Sequence, residues 1–470
     1  MRTSRTQPPV ADALPVVPVN PLLPVDISDL NRSYSLYVLE QRAIPHVTDG
    51  LKSAARRVVW RAKDGKKVKT AALAGATMSI HPHGAPEGAI NTQAGFFTNN
   101  CPIFKGFGAF GTLLEPTEFG AGRYTYVQIS DFTKDVLLRD IEIIPMVDNY
   151  DSTEQEPKHF LPLIPTVLVN PQDGIATGFA STILPRDLGD IVKSQVAYLN
   201  GTKEPTVLPN FSTTDSNCVR VEVDKKGVTR YVFAGEYKKT GATSIKITKL
   251  PYGTTHAKFM TKLYKLEADT DRITDITDNS VDVYDIDVTF KRGFLVKMDD
   301  AAIVKYLNLE MQCTENLNVI DFNSTSIYNA TYEEIIQDFT EWRLLWYVAR
   351  YKRLKELLEK EIQRYRDIIL AIEKNVGGLA RKTESREELK ELLEAFGIVS
   401  LDYIADLSVY RFTEAEAVKT QVKLDAGLLQ LDEYNKLLGS KNARKQVYLD
   451  ELEEILTNHK KGKYVNSPAD

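Results

Sequence analysis

Phe119-Gly120-Ala121-Gly122-Arg123-Tyr124-Thr125-Tyr126-Val127 is the stretch on which the reading of this chain turns. A glycine-rich loop leaves through an arginine–tyrosine pair, and Val127 and Ile129 then alternate like a strand entering a core. A phenol ionises near pKa ~10 and is a poor nucleophile at neutral pH. It becomes useful when a cation or metal stabilises the phenolate and a phosphorus centre is held in line. Arg123 has the planar fork to hold two phosphate oxygens while Tyr124 attacks the phosphorus. An isolated Arg-Tyr is far more often a strand-edge tyrosine beside a surface arginine, so its surroundings decide.

Those surroundings begin with size. A chain of 470 residues exceeds one ordinary core, and two to four domains are expected. Its hydrophobic content of 43% is that of a soluble globular protein, and no apolar run approaches the ~20 residues of a membrane span. The start carries no charged-then-apolar secretion signal. Cys101, Cys218 and Cys313 are odd in number and far apart, which excludes a disulfide framework or zinc ribbon and fits a reducing cytoplasm. The net charge of -5 speaks weakly against a nucleic-acid protein, yet eight basic residues between Lys52 and Lys69 face one acid, Asp64. A basic face on an acidic chain is a sharper signal than uniform basicity.

Along the chain, residues 1–28 are a proline-rich lead-in read as an extended arm. A helix is expected from about Asp29 to Arg42, with Leu30, Tyr34, Tyr37, Val38 and Gln41 on one face and Pro45 ending it. Asp49-Gly50 turns into a second helix that displays Arg56 and Arg57 near its start. Their guanidinium groups suit a phosphate backbone, and a merely solvated charged face is the plainer alternative. An alanine-rich helix from Thr70 to Ser79 leads through His81-Pro82-His83-Gly84 to a helix with Pro86 in its first turn, a helix-turn-helix arrangement. The two histidines lack further Cys or His neighbours for a zinc shell. Phe104 to Gly111 reads as a glycine-aromatic loop, without the GK[ST] ending or preceding strand of a phosphate-binding loop. From 186 to about 330 the pattern is α+β: Val219, Val221 and Val223 alternate, and Tyr231 with Phe233, then Ile245 with Ile247, follow turns. From Thr331 leucines recur every three or four residues, first from Leu354 to Ile372 and again from Leu424 to Ile455, as the two antiparallel arms of one hairpin.

This order of pieces resembles a family: the breakage-reunion, or A, subunit of type IIA DNA topoisomerases, as found in gyrase, in topoisomerase IV and in the T-even-type phage enzymes carried on separate chains. Arg42-Ala43-Ile44-Pro45 with Asp49-Gly50-Leu51-Lys52 and Arg56-Arg57 resembles the opening signature. His81-Pro82-His83-Gly84 resembles the histidine turn, and Phe107-Gly108-Ala109-Phe110-Gly111 is similar to the Gly-Asn-Phe-Gly loop with alanine for asparagine. Arg123-Tyr124 falls at the catalytic pair. Val147-Asp148-Asn149-Tyr150-Asp151, Ile164-Pro165-Thr166-Val167-Leu168-Val169-Asn170, Gly174-Ile175-Ala176-Thr177-Gly178-Phe179-Ala180 and Leu250-Pro251-Tyr252 continue the series over about residues 29–300.

The resemblance implies an α+β multidomain fold. Residues 29–185 would be a winged-helix (helix-turn-helix) cleavage domain and 186–330 an α/β tower. Residues 331–470 would form a long antiparallel coiled coil with a globular dimer gate at about 375–420, and the DNA-wrapping domain of gyrase A would be missing. Tyr124, Arg123, Arg42 and His83 would be catalytic; Lys52, Arg56, Arg57, His81 and Ile175 would contact DNA, Ile175 as a wedge between base pairs. Each strand of a duplex would receive a 5′-phosphotyrosyl link, opening a gate for a second duplex. The chain would form a homodimer in the cytoplasm, on the nucleoid of a bacterium or phage-infected host. Neither an ATP-binding motif nor the family's acidic magnesium triad is visible, so Mg2+ and ATP would be bound by a partner subunit. Departures exist too. Ala55 replaces a common histidine, and Pro86 and Ile90 replace the serine and acid that anchor fluoroquinolones in bacterial relatives. Two other classes remain beside this reading: a non-catalytic helix-turn-helix DNA-binding protein dimerised by a coiled coil, and a tyrosine recombinase, whose Arg/His constellation cannot be placed.

Overall fold

A computed structural model describes residues 27–82, 86–225, 227–380 and 382–465; the proline-rich arm and His83 lie outside them. Helix α1 (Ile27–Val38) widens into a π-helical turn, Leu39–Ala43, and stops at Ile44, whose extended backbone is what the following Pro45 imposes. The next turn needs glycine twice over. Gly50 has φ +63°, and a Cβ there would lie 2.5 Å from the backbone nitrogen of Val167.

Helices α2 (Ser53–Ala62), α3 (Thr70–Ile80) and α4 (Glu87–Ala94) then pack beside a three-stranded antiparallel sheet. Its strands are β1 (Val68–Lys69), β2 (Phe104–Phe107) and β3 (Tyr126–Ile129), with β3 central. The stretch read as a glycine-aromatic loop therefore starts as a strand. Phe104 is wholly buried and Phe107 faces outward, an alternation its glycines disguise. Two hairpins follow, β4 (Met146–Asp148) with β5 (Gln155–Pro157) and β6 (Gln172–Ala176) with β7 (Phe179–Ile183), then α5 (Leu188–Asn200).

The following segment holds two four-stranded antiparallel sheets. The first joins β8 (Asn210–Phe211), β9 (Ser216–Val223), β10 (Thr229–Ala234) and later β15. The second joins β11 (Glu236–Lys239), β12 (Ser244–Lys249), β13 (Ile273–Asp278) and β14 (Ile286–Phe290) around Ile245, Ile247 and Val288. Helices α6 (His256–Thr270) and α7 (Asp300–Tyr306) add Phe259, Leu263 and Ile303 to that second core. Strand β15 (Glu310–Thr314) pairs with β10 in the first of these sheets. The hairpin β16 (Asn318–Ile320) with β17 (Ile327–Asn329) adds Val319 to the first core, the one that holds Val58 and Val59 of α2, Ile90 of α4 and Val127 of β3. Val219, Val221 and Val223 alternate as expected but stay exposed, leaving an uncovered apolar strip on β9.

Thr331 and Glu334 form a capping box for α8 (Tyr332–Glu373). Short helices α9 (Val376–Leu379), α10 (Arg386–Ala395) and α11 (Leu401–Ala405) gather over its far end around Ile368, Leu393 and Ile404. Helix α12 (Glu414–Gly439) runs back antiparallel: Gly427 lies against Ile362, and the Tyr434 ring packs tilted on Tyr351. The second leucine series is not one arm, however. It breaks at Ser440, whose side chain caps α13 (Lys441–Lys460), and Tyr448, Leu452 and Ile455 enter the first core.

Candidate active site

Residues 121–125 form a turn tied on several sides. Tyr124 N–H donates to the Ala121 carbonyl at 2.8 Å, and Gly120 N–H to Ala109 at 2.9 Å. The first turn of α3 has backbone donors without partners inside the helix. Thr70 N–H donates a hydrogen bond to the Thr125 carbonyl and Ala71 N–H to that of Gly122, both at 3.1 Å. The buried hydroxyls of Thr70 and Thr125 meet at 2.8 Å. Local chemistry thus anchors the backbone while the side chains point away. Tyr124 is 71% exposed, and the Arg123 guanidinium lies 4.8 Å from its ring centroid.

The other expected catalytic and DNA-facing groups sit elsewhere along the chain. Arg42, half-buried on the π-helical turn, lies 5.7 Å from the Tyr37 ring. Tyr37 also stacks with His81, which meets Tyr150 at 5.5 Å. Lys52 ends the turn before α2, and its ammonium donates to the Asp173 carbonyl at 2.6 Å. Burial holds the Lys52 pKa below its ordinary value. This contact tethers α2 to the β6–β7 hairpin, where Ile175 stands 87% exposed. It is not the core isoleucine that its residue type suggests.

Arg56 and Arg57 correct the reading from sequence: neither is displayed. Arg56 forks onto Asp49 at 2.7 and 3.0 Å and also reaches the Leu51 carbonyl. Arg57 forks onto Glu156 of β5 at 2.5 and 3.0 Å and bonds Gln41. Both are buried, so neither reaches a phosphate without abandoning a charged partner. Ile90 is likewise wholly buried on α4, so its place is set by packing and not by a drug-facing surface.

Sequence reasoning saw a basic run but missed Lys105 and the placement of these cations on one face of the three-stranded sheet. Pairing sets Lys69 opposite Tyr126 and Tyr126 opposite Phe107. Lys67 lies 3.7 Å from the Phe107 ring centroid, Lys105 lies 5.9 Å from it, and Lys69 is 5.8 Å from that of Tyr126. The basic run was visible in the sequence, but only strand pairing brings Lys105 to it, opposite Gln128, which lies four residues beyond Tyr124.

An exposed tyrosine and arginine on a tied turn, backed by helices and a small sheet, sit in the fold of a type II topoisomerase cleavage region. The crystal structure of the Plasmodium falciparum topoisomerase II DNA-binding, cleavage and re-ligation domain superposes with a TM-score of 0.79. It covers 92% of this chain and 64% of that one at 21% identity. The chain belongs to the family of DNA gyrase/topoisomerase IV A subunits, whose pattern matches residues 42–453. It is 27% identical to the DNA topoisomerase medium subunit of Enterobacteria phage T4, over 82% of this chain and 89% of that protein. It is 25% identical to the DNA gyrase A protein of Synechocystis, covering 92% of this chain, but spans only 54% of that relative. The family is that of the DNA cleavage–religation subunit of type II topoisomerases. Magnesium and ATP dependence belong to the family in general. Among the described residues no three of His, Cys, Asp and Glu gather as a metal site, so these residues offer no ligand set for the family's magnesium.

Proposed function

We propose that this chain cleaves and rejoins duplex DNA with Tyr124 as nucleophile, and the exposed Arg123–Tyr124 pair on its tied turn carries the reading. The phenol oxygen attacks a backbone phosphorus, the P–O bond to the 3′-oxygen breaks, and a 5′-phosphotyrosyl link forms. The phenol proton departs and the 3′-oxygen takes one up; the reverse step reseals the strand. Arg123 holds the phosphate oxygens, and Arg42 and His83 complete the catalytic set by resemblance. Neutralising the leaving oxygen needs a cation beyond these residues, so we assign metal binding and ATP hydrolysis to a partner subunit.

In this reading residues 29–185 are a winged-helix cleavage domain and 186–330 a tower. The tip of the α8–α12 hairpin, about 375–420, dimerises the chain as an exit gate. Ile175 wedges between base pairs, Lys52 holds the wedge hairpin, and His81 lies toward the DNA. Lys67, Lys69 and Lys105 take the backbone role first given to Arg56 and Arg57. The assembly works in a bacterial or phage-infected cytoplasm.

The test mixes the chain with its partner subunit and supercoiled DNA and traps adducts with detergent. Tyr124→Phe should yield none while binding DNA as wild type does. Adducts that persist in that variant would overturn the assignment and move suspicion to Tyr126.

A further inference from the structure

Glu87 opens α4, the second helix of the helix-turn-helix arrangement, and its carboxylate accepts the Gly122 N–H at 2.8 Å. Gly122 is the residue immediately before Arg123-Tyr124. A Cβ on Gly122 would meet Glu87 first: its three nearest atoms, at 2.6, 2.7 and 3.1 Å, all belong to that carboxylate. The Gly122 backbone is not left-handed, so an alanine there is opposed by Glu87 and not by its own φ. A carboxylate bound to an N–H is a charge-assisted bond, stronger than a neutral one. Gly122 is thus held from both directions, its N–H by α4 and its carbonyl by Ala71 of α3.

We infer that Glu87 is a positioning residue for the cleavage step, a clasp that registers the Arg123–Tyr124 turn to α4. The inference rests on the assignment of Tyr124 as nucleophile. Docking DNA on α4 then sets the tyrosine at a defined place along the strand. A misplacement of about 1 Å at a reacting centre costs on the order of a hundredfold in rate, so even partial loosening of the turn is measurable.

The experiment uses the full chain with its partner subunit and supercoiled DNA. Amide exchange at Gly122 and the rate of adduct formation are both read. Glu87→Ala should expose the Gly122 amide to exchange and slow adduct formation about tenfold or more, with DNA affinity and melting temperature near wild type. Gly122→Ala should do the same by pushing the carboxylate off. The double variant should be no slower than either single one, because all three lack the same contact. Glu87→Gln keeps an acceptor and should restore the rate to within about threefold. A wild-type rate in Glu87→Ala, or losses that multiply in the double variant, would overturn the clasp. If wild type itself forms no adducts, the Tyr124 reading fails instead, and Gly122 exchange still decides whether the clasp exists.

Discussion

Arg56 ends on Asp49, and the same carboxylate accepts N–H bonds from Leu51 at 3.1 Å and Phe160 at 3.0 Å. The Arg56 guanidinium and the Phe160 N–H help outweigh burial and hold the Asp49 pKa below the ordinary carboxylate value. Removing one partner strands the other charge in the core. Arg56→Ala should therefore cost about 3–5 kcal/mol, read as a fall in denaturant midpoint. A loss below about 1 kcal/mol would return Arg56 to the surface role. Lys69 predicts the opposite pattern. Lys69→Ala should leave the midpoint alone and flatten the salt dependence of DNA binding by roughly 0.9 of a log–log unit. An unchanged slope would remove that lysine from the backbone contact.

At the scale of single elements, the β6–β7 hairpin carries an isoleucine that packing does not use. Ile175→Ala should change stability by no more than about 0.5 kcal/mol, as other exposed substitutions do. It should nonetheless reduce DNA bending, measured by energy transfer between labelled duplex ends, together with cleavage. Normal bending in the variant would end the wedge assignment. Helix α4 revises the expectation about fluoroquinolones. Ile90→Asp would bury a carboxylate in the core and could not test a drug bridge. Pro86 is buried as well, but Pro86→Ser adds only a hydroxyl and not a carboxylate, so it is the informative change, since proline offers a bridging water no bond. Losing that bond at about 1–3 kcal/mol predicts ciprofloxacin trapping roughly tenfold to a hundredfold weaker than for a gyrase. Partial recovery is expected in Pro86→Ser, and gyrase-like trapping of wild type would dismiss the argument.

Across the whole molecule, buried polar groups join segments far apart in the chain. Arg350 of α8 bonds Asp140 at 2.7 Å and Glu451 of α13 at 2.8 Å. His159 packs on Trp342 and Trp346 of α8, and His46 bonds Ser324 at 2.7 Å. Burial pushes the His46 pKa down to about 3 and lowers that of His159. Both hold a proton more weakly when folded, so below pH ~6.5 the unfolded chain binds protons more readily than the folded one. Stability should fall with acid by up to about 1.4 kcal/mol per pH unit for each histidine. For His46 that window runs from ~6.5 to about 3. Denaturant midpoints at pH 7.5 and 5 would check this, and equal values would refute it.

The family and Tyr124's candidacy were legible in the chain because they rest on short contiguous motifs: Arg42-Ala43-Ile44-Pro45, His81-Pro82-His83-Gly84 and Arg123-Tyr124 keep their order whatever surrounds them. The helical periodicity of α8 and the alternation in β9 and β10 could be read for the same local reason. Whether a charged or apolar side chain faces inward could not be read. Arg57 meets Glu156 and Arg343 meets Asp140, partners that no window along the chain brings together. Ile90 and Ile175 are one residue type, yet one is fully buried and the other almost fully exposed, because only the packed fold decides which apolar groups escape water. The sequence by itself determined what chemistry the chain carries and in what order. The tertiary structure decided which cations remain on the surface and which hold the protein together, because burial and ion pairing depend on three-dimensional neighbours.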